Sequence, residues 1–477
     1  MKTRAPLLSL LLATAACAVN PATGERELML VSEAQEIQMG READPQISAS
    51  LGLVDDAELQ AYVSEIGMQL ARASERPDLP WSFKVVDDPV VNAFALPGGF
   101  IYMTRGILAR FDNEAELAGV LGHEIGHVTA RHSASQMTRQ QLQTIGLGAA
   151  MIFSETAREY GGLAMAGLQL LNLSYSRGDE TQSDELGVRY LTRLDYDPEA
   201  LVGVFGMLAQ VSGGEDGRVP EWQLTHPYPE NREEHIRSIL DTLSAATGER
   251  VDRDEYLDHI DGIVYGENPR EGFFWDARFL HPDLEFELTF PSGWSTVNQR
   301  TVVGAVAPAE DAIVALEIAE GASGAEAAMR EFLGQGGVRA APVRSESSGG
   351  AEKVRAEFEA QTEQGVLRGE VAFIEHGGAV YRVMGYSGPQ TWNRYADAVA
   401  STITSFARLT DREALDVEPL RLSIVTLDST TSLRTWAQSR TLPIELEELA
   451  ELNRVEPDEV LNAGTRIKTV VGTPLPQ

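Results

Sequence analysis

At 477 residues, with 43% hydrophobic and 23% charged, the chain has the composition of a globular protein and exceeds one ordinary domain; about two to four are expected. A formal net charge of −33 and a pI near 4.6 argue against nucleic acid as a partner, because no basic stripe exists to release counterions, and they predict weak repulsion from anionic membrane surfaces. No interior run of about 18 uncharged apolar residues occurs, so no transmembrane helix is predicted in the mature chain.

The chain opens with MKTRAPLLSLLLATAAC, in which Lys2 and Arg4 precede an apolar stretch from Pro6 to Ala16 that ends in small residues. Residues 1–17 read as a secretory signal peptide rather than a fold element. Cys17 is the sole cysteine, so the disulfide arithmetic is silent. Its placement resembles a bacterial lipobox, whose cysteine is lipidated and becomes the mature N-terminus. Thr14 departs from that pattern, since a larger aliphatic residue is more usual there. Ala13 and Ala15 also offer an A-x-A site for ordinary secretion. Ala18 is not the aspartate that resembles an inner-membrane retention signal, so a lipidated form is expected to face the periplasm from the outer membrane.

Ser32 with Gln35 three residues later predicts a capping box opening a helix, and residues 57–76 predict another. WSFKVVDD (81–88) and GGFIYMT (98–104) alternate or run apolar like strands. A long helix begins at Asn113, a plausible N-cap with Glu116 at the third helical position. Residues 141–175 are mostly apolar and small, interrupted by Glu155, Arg158 and Glu159; they read as helices packed on the core or over a cleft. Helices are expected over 178–194 and after Pro198. The turn-rich HIDGIVYGENPREG (259–272) marks a boundary. Beyond it, strands in LEFELTFPSGW and AIVALEIAEG, a short helix near 325–334, strands from Val354 to Tyr386 and a closing helix make an α+β domain over 270–408. After a linker around TDREALDVEP, residues 418–472 read as strand–helix–helix–strand.

The chemistry sits in GVLGHEIGHVTARH (119–132). Residues four apart share a helix face, so His123 and His127 point the same way, with Glu124 beside them. Zinc takes imidazole and carboxylate donors in tetrahedral geometry, and a catalytic zinc keeps one position open. Glu124 can then take a proton from the attacking water. The bland alternative is a surface helix with two solvated histidines. Gly122 and Gly126 argue against it, because each weakens a helix interior by about 1 kcal/mol and needs close packing or room for a ligand to justify it. A third ligand is required, and YSRGDETQSDELG (175–187) offers four carboxylates. Glu180 and Asp184 share a face; one can bind zinc while the other orients a histidine ring. Asp179 and Glu185 lie on other faces.

These segments carry a resemblance. NAFALPGGFIYMTRGIL (92–108), ELAGVLGHEIGHVTARH (116–132), SYSRGDETQSDELG (174–187), LDYDPEA (194–200) and THPYPENR (225–232) resemble, in order, the zinc metallopeptidases related to HtpX, Oma-type mitochondrial proteases and CAAX prenyl proteases. They are most similar to the periplasmic, β-barrel assembly-enhancing (BepA-like) branch. The resemblance implies a mainly helical gluzincin-type metallopeptidase domain with a small sheet over 18–260, binding one Zn2+ per chain through His123, His127 and Glu180. Glu124 would be the general base and Asp184 the carboxylate behind a zinc histidine. Gln182-Ser183 stands where a Glu-Ala pair is commoner, at positions that need not touch the metal. PGGFIYMT (97–104), with Gly98 and Gly99, is expected as an edge strand that pairs with extended substrate, and Asn92 as a substrate hydrogen-bonder. The competing reading of that segment is a turn plus an ordinary core strand. His226, in a Pro-rich loop, has three open readings: a removable fourth zinc ligand that gates the enzyme, a stabiliser of the oxyanion, or a loop-shaping partner of Asn231 or Arg232.

Residues 270–408 weakly resemble a PsbP-like α+β domain through FPSGW and YRVMGYSG, with His281 and His376 standing alone as structural residues. Residues 418–472 resemble a LysM-like βααβ module, a kind that binds glycans such as peptidoglycan; DSTTSL (428–433) replaces the usual Gly-Asp-Thr-Leu stretch, which leaves two readings, a glycan-binding module and a purely structural one. The whole reads as a multidomain α+β protein. Its expected function is a zinc endopeptidase of the cell envelope acting on unfolded or misfolded envelope and outer-membrane proteins, beside the outer-membrane assembly machinery. The alternatives are a chaperone or scaffold with gated cleavage, and a cell-wall-anchoring protein with a dormant protease fold.

Overall fold

The computed structural model describes residues 17–146, 174–212, 222, 225–226, 232–242, 248–362 and 365–475. The predicted signal segment up to residue 16, most of the apolar stretch 141–175 and Asn231 lie outside the described residues. The chain divides into two compact units: Met1–Gly266 with Arg421–Val471, and Glu267–Leu420 with Gly472–Gln477.

The first unit opens with a hairpin of β1 (Cys17–Val19) and β2 (Arg26–Leu28). Helix α1 (Glu33–Leu51) starts with the predicted capping box of Ser32 and Gln35, and α2 (Ala57–Arg72) is capped by Asp56. A three-stranded sheet follows in the order β3 (Ser82–Val86), β5 (Phe100–Thr104), β4 (Ala93–Leu96), with β3 parallel and β4 antiparallel to β5. After the short α3 (Arg105–Arg110), α4 (Glu114–Thr129) begins where predicted: the Asn113 side chain accepts from the Glu116 amide. Every residue of α4 is buried, because α2, β4, α6 (Arg177–Arg193) and α7 (Glu199–Ser212) all pack around it. Helices α5 (His132–Gly146), α8 (Arg232–Thr242) and α9 (Arg253–Ile260) complete this part.

The second unit is built on an eight-stranded sheet. Its longest strands are β14 (Ala351–Thr362), β15 (Gly365–His376) and β16 (Ala379–Ser387), with β11 (Ala312–Ile318) beyond β16. Successive residues of a strand face opposite sides, so both faces need a cover. Ala372 and Ile374 of β15 pack with Trp392, Val399 and Ile403 of α11 (Trp392–Ser405). Val371 and Phe373 pack on the other side with Met329 and Phe332 of α10 (Ala325–Gly334). The α+β character, the short helix over 325–334 and the closing helix match the sequence expectation. His376 is structural as expected, with Nε2 3.0 Å from the Leu284 carbonyl.

The last segment has the expected order: β18 (Arg421–Thr426), α13 (Leu433–Ala437), α14 (Leu446–Asn453) and β21 (Arg466–Val471), with β18 and β21 paired. By its contacts it groups with the first unit. Lys468 Nζ, fully buried, lies 3.1 Å from the Phe111 carbonyl and 2.9 Å from Asp112 Oδ1. Arg454 donates to both oxygens of Glu116, at 2.6 and 2.8 Å. Both cations therefore satisfy acceptors at the turn into α4, where α3 leaves its last carbonyls unpaired. A bridge between Val264 and Arg421 ties the start of β18 to the segment after α9.

Candidate metal centre

The centre is made by the crossing of α4 and α6. A Cβ on Gly126 would stand 3.1 Å from Ser183 Cα and O, and one on Gly122 3.3 Å from Gly187 Cα. The two glycines are there for close packing. They let α6 approach until Glu180 and Asp184 stand beside His123 and His127.

His123, His127, Glu180 and His226 each offer a donor atom, all within 4.8 Å of one another and all buried. His123 Nε2 lies 3.0 Å from His127 Nε2, 3.5 Å from Glu180 Oε2 and 3.4 Å from His226 Nδ1. Glu180 Oε1 lies 3.4 Å from His127 Nε2 and 3.1 Å from His226 Nδ1. Tetrahedral zinc with bonds of about 2.0–2.1 Å sets donor–donor edges of roughly 3.3 Å. The donor chemistry fits as well as the spacing: buried imidazole lone pairs and a carboxylate converge on one point, where a cation would relieve their mutual repulsion.

Each ligand is held from behind. Nδ1 of His123 lies 2.8 Å from Asp184 Oδ1, so its Nε2 can present a lone pair. Arg232 donates to both oxygens of Asp184, at 2.8 and 2.6 Å, reaches Glu180 at 3.2 Å and lies over the Phe205 ring. Tyr175 stacks on His127 at 3.8 Å between ring centroids. His226 stacks on Trp222 at 4.2 Å, and its amide donates to the Trp222 carbonyl.

Charge follows from these contacts. Burial resists ionisation of Glu180, yet the neighbouring His226 and the bonds from His123 and His127 hold it well below the usual carboxylate range. Burial acts likewise on Asp184, but Arg232 and His123 keep it low. Burial disfavours a charged His123 ring, and Asp184 and Glu180 overcome that, pushing it up to about 9. Burial leaves His127 well below the ordinary histidine range. Glu124 differs: burial raises its carboxyl, and neither of its oxygens has a hydrogen-bond partner among the described residues. His226 Nε2 stands 3.5 Å away from it.

The structure thus brings together His123, His127, Glu180, Asp184, Glu124 and His226. It keeps Glu185 apart, exposed and paired with His235, and Asp179 serves the N-cap of α6. It does not bear out the edge-strand reading of residues 97–104. Phe100–Thr104 is the central strand, hydrogen-bonded on both sides, so it has no free edge. Gly98 and Gly99 form the turn into it with φ of 86° and 102°; a Cβ would strike Ile37 at Gly98 and crowd Trp81 at Gly99. Positive φ and close packing both call for glycine at these two positions. The edges of this sheet are β3, whose end is bridged by Leu53 and Val54, and β4, which the sequence reading did not single out. Asn92, directly before β4, is buried, and its Oδ1 has no hydrogen-bond partner among the described residues. Arg232, weighed only as a partner of His226, instead clamps Asp184 and Glu180. His132 and Tyr175 went unread, although both lie in the quoted motifs. Gln182 stays off the donor cluster as expected, but it does bond His132.

A helix-borne His-Glu-x-x-His on α4, joined by a glutamate from α6, defines a candidate metal centre of the metallopeptidase kind. The model of peptidase family M48 matches residues 57–240. The β-barrel assembly-enhancing protease of Yersinia pestis is 34% identical over 206 residues, covering 42% of each chain. The Schizosaccharomyces pombe mitochondrial metalloendopeptidase OMA1 is 30% identical over 241 residues, covering 50% of this chain and 69% of that one. This chain belongs to peptidase family M48. It spans less than half the length of the bacterial relatives it matches, 42% and 43% of the Yersinia pestis and Escherichia coli proteins. Among solved structures, cyanobacterial PsbP from Synechocystis covers 28% of this chain and 91% of its own, at 15% identity and a TM-score of 0.23, too low to decide anything about the second unit.

Proposed function

We propose that the protein is a zinc-dependent endopeptidase of the cell envelope that hydrolyses peptide bonds in misfolded or stalled envelope and outer-membrane proteins. The observation that carries this is Glu124: a fully buried carboxylate, neither oxygen hydrogen-bonded among the described residues, beside a four-donor cluster. An ion held for structure alone gives no reason to bury such a group. His123, His127 and Glu180 would hold zinc, which when bound supplies Lewis-acid polarisation of the scissile carbonyl and of the attacking water. Glu124 takes the proton of that water and delivers it to the leaving amine; its raised proton affinity suits both transfers. Extended substrate would add to the edge of β4, with Asn92 Oδ1 accepting from a substrate amide.

The gated form of this activity has its own support. His226 Nδ1 sits among the ligand atoms, so the histidine would fill the fourth position until substrate or a partner draws the loop away. This also keeps the chaperone or scaffold reading in play, with cleavage minor. Lipid anchoring at Cys17, periplasmic residence and peptidoglycan contact through residues 418–472 belong to the same proposal and rest on sequence patterns.

The test incubates mature protein with an unfolded outer-membrane β-barrel protein. Wild type and His226→Ala should cleave, the latter faster with zinc retained. Chelator-treated protein and Glu124→Gln should not cleave. Cleavage that survives in Glu124→Gln removes the general base; binding and folding assistance without cleavage in any sample establishes the scaffold instead.

A further inference from the structure

We infer that His132, backed by Gln182, is a positioning residue that sets the orientation and tautomer of His127. The inference rests on the metal-centre reading above. His127 turns Nε2 toward the donor cluster, and its Nδ1 lies 2.9 Å from His132 Nδ1. Two ring nitrogens at that distance share one proton. A metal ligand must offer its Nε2 lone pair, so the proton belongs to His127 Nδ1, and His132 Nδ1 accepts it. The His132 proton then lies on Nε2, which faces Gln182 Oε1 at 2.8 Å. The metal thereby fixes the direction of the whole chain: His127 donates to His132, and His132 donates to Gln182.

The backbone is shaped to deliver this contact. Between α4 and α5, Arg131 adopts a left-handed φ of 61°, which a non-glycine residue adopts at a cost. Its side chain is locked by Glu36 Oε1 and the Val31 carbonyl, each at 2.8 Å. The sharp turn folds His132 back against His127, on the side that Tyr175 leaves open. The two imidazole ligands are consequently unequal. His123 is backed directly by the carboxylate of Asp184; His127 is backed by the His132 imidazole, whose Nε2 bonds the Gln182 amide and lies 3.9 Å from Asp179 Oδ1. His127 is the weaker donor, because the hydrogen bond behind His132 ends in an amide and the nearest carboxylate stands beyond hydrogen-bond reach.

The test measures zinc affinity by chelator competition, together with long-range proton–nitrogen spectra of the histidine rings in zinc-loaded protein. His132→Phe should weaken zinc about 10–100-fold. His132→Asn, whose Oδ1 falls where Nδ1 was, should recover about tenfold of that loss. Gln182→Glu, which ends the chain in a carboxylate, should bind zinc more tightly than wild type. The spectra should show His127 protonated at Nδ1. If His132→Phe does not fold, Gln182→Met against Gln182→Glu carries the same test, weaker against tighter. Wild-type affinity in folded His132→Phe, no gain in Gln182→Glu, or a proton on His127 Nε2 overturns the inference. A wild-type protein that binds no zinc, like its His123→Ala variant, would instead overturn the metal-centre reading.

Discussion

Replacing Arg232 by methionine probes what holds the centre together. The Arg232 and Asp184 side chains are 1% and 0% exposed, and two hydrogen bonds of 2.6 and 2.8 Å join them. The guanidinium also reaches Glu180 at 3.2 Å. Methionine keeps most of the volume over Phe205 but strands two buried carboxylates. Removing one partner of a buried ion pair costs about 3–5 kcal/mol, against about 0–1 kcal/mol for an exposed pair. The folded population relative to the unfolded should fall by a factor of roughly 10²–10⁴. The double variant Arg232→Met/Asp184→Leu removes the stranded Asp184 charge and leaves the His123 Nδ1–H without its acceptor, a cost of about 1–3 kcal/mol. The double variant should therefore be more stable than the single one. Urea unfolding of the metal-free proteins at neutral pH, followed by circular dichroism, gives both differences. A single-variant cost under about 1 kcal/mol, or a double variant no better than the single, would refute the claim that Arg232 offsets buried charge.

Glu180→Ala should lose zinc as His123→Ala does, while Glu185→Ala keeps it; metal analysis of the three purified proteins decides. Gly126→Ala should cost about 1–3 kcal/mol and weaken zinc by forcing α4 from α6, whereas Gly206→Ala in α7, whose Cβ would meet nothing within 4 Å, should gain about 0.5–1 kcal/mol in the same melts. Burial lowers the ammonium pKa of Lys468 from its ordinary value. Between that lowered value and the unfolded one the unfolded chain binds more protons, so stability should rise with pH across that window. Lys468→Met should abolish the rise, as read from urea midpoints over the alkaline range; an unchanged slope would assign the rise to another group. Cys17→Ser should release the protein from the membrane fraction, and a mature N-terminus mapped to another residue would reject lipidation.

Much of the centre is local, and that is why it could be read without a fold. His123 and His127 share a face because of the helical period, and the same period pairs Glu180 with Asp184. The caps at Ser32 and Asn113 answer to their own neighbours, at most three residues on. What the sequence by itself determined was therefore the helices opening at Ser32 and Asn113 and the one carrying Glu180 and Asp184, the candidate ligands they display and, through the run of quoted motifs, the family. Only the tertiary structure decided how those pieces meet. Strand order placed β5 between its neighbours and left β3 and β4 as the edges, which apolar runs of similar composition cannot announce. Gly98 proved to be packing against Ile37, a residue about sixty positions away in sequence. Arg232 reached Asp184 across 48 residues, and Lys468 reached Phe111 across 357. Such pairs have no period or spacing to betray them, because a buried charge takes whichever partner the packing brings close enough to offset its lost water.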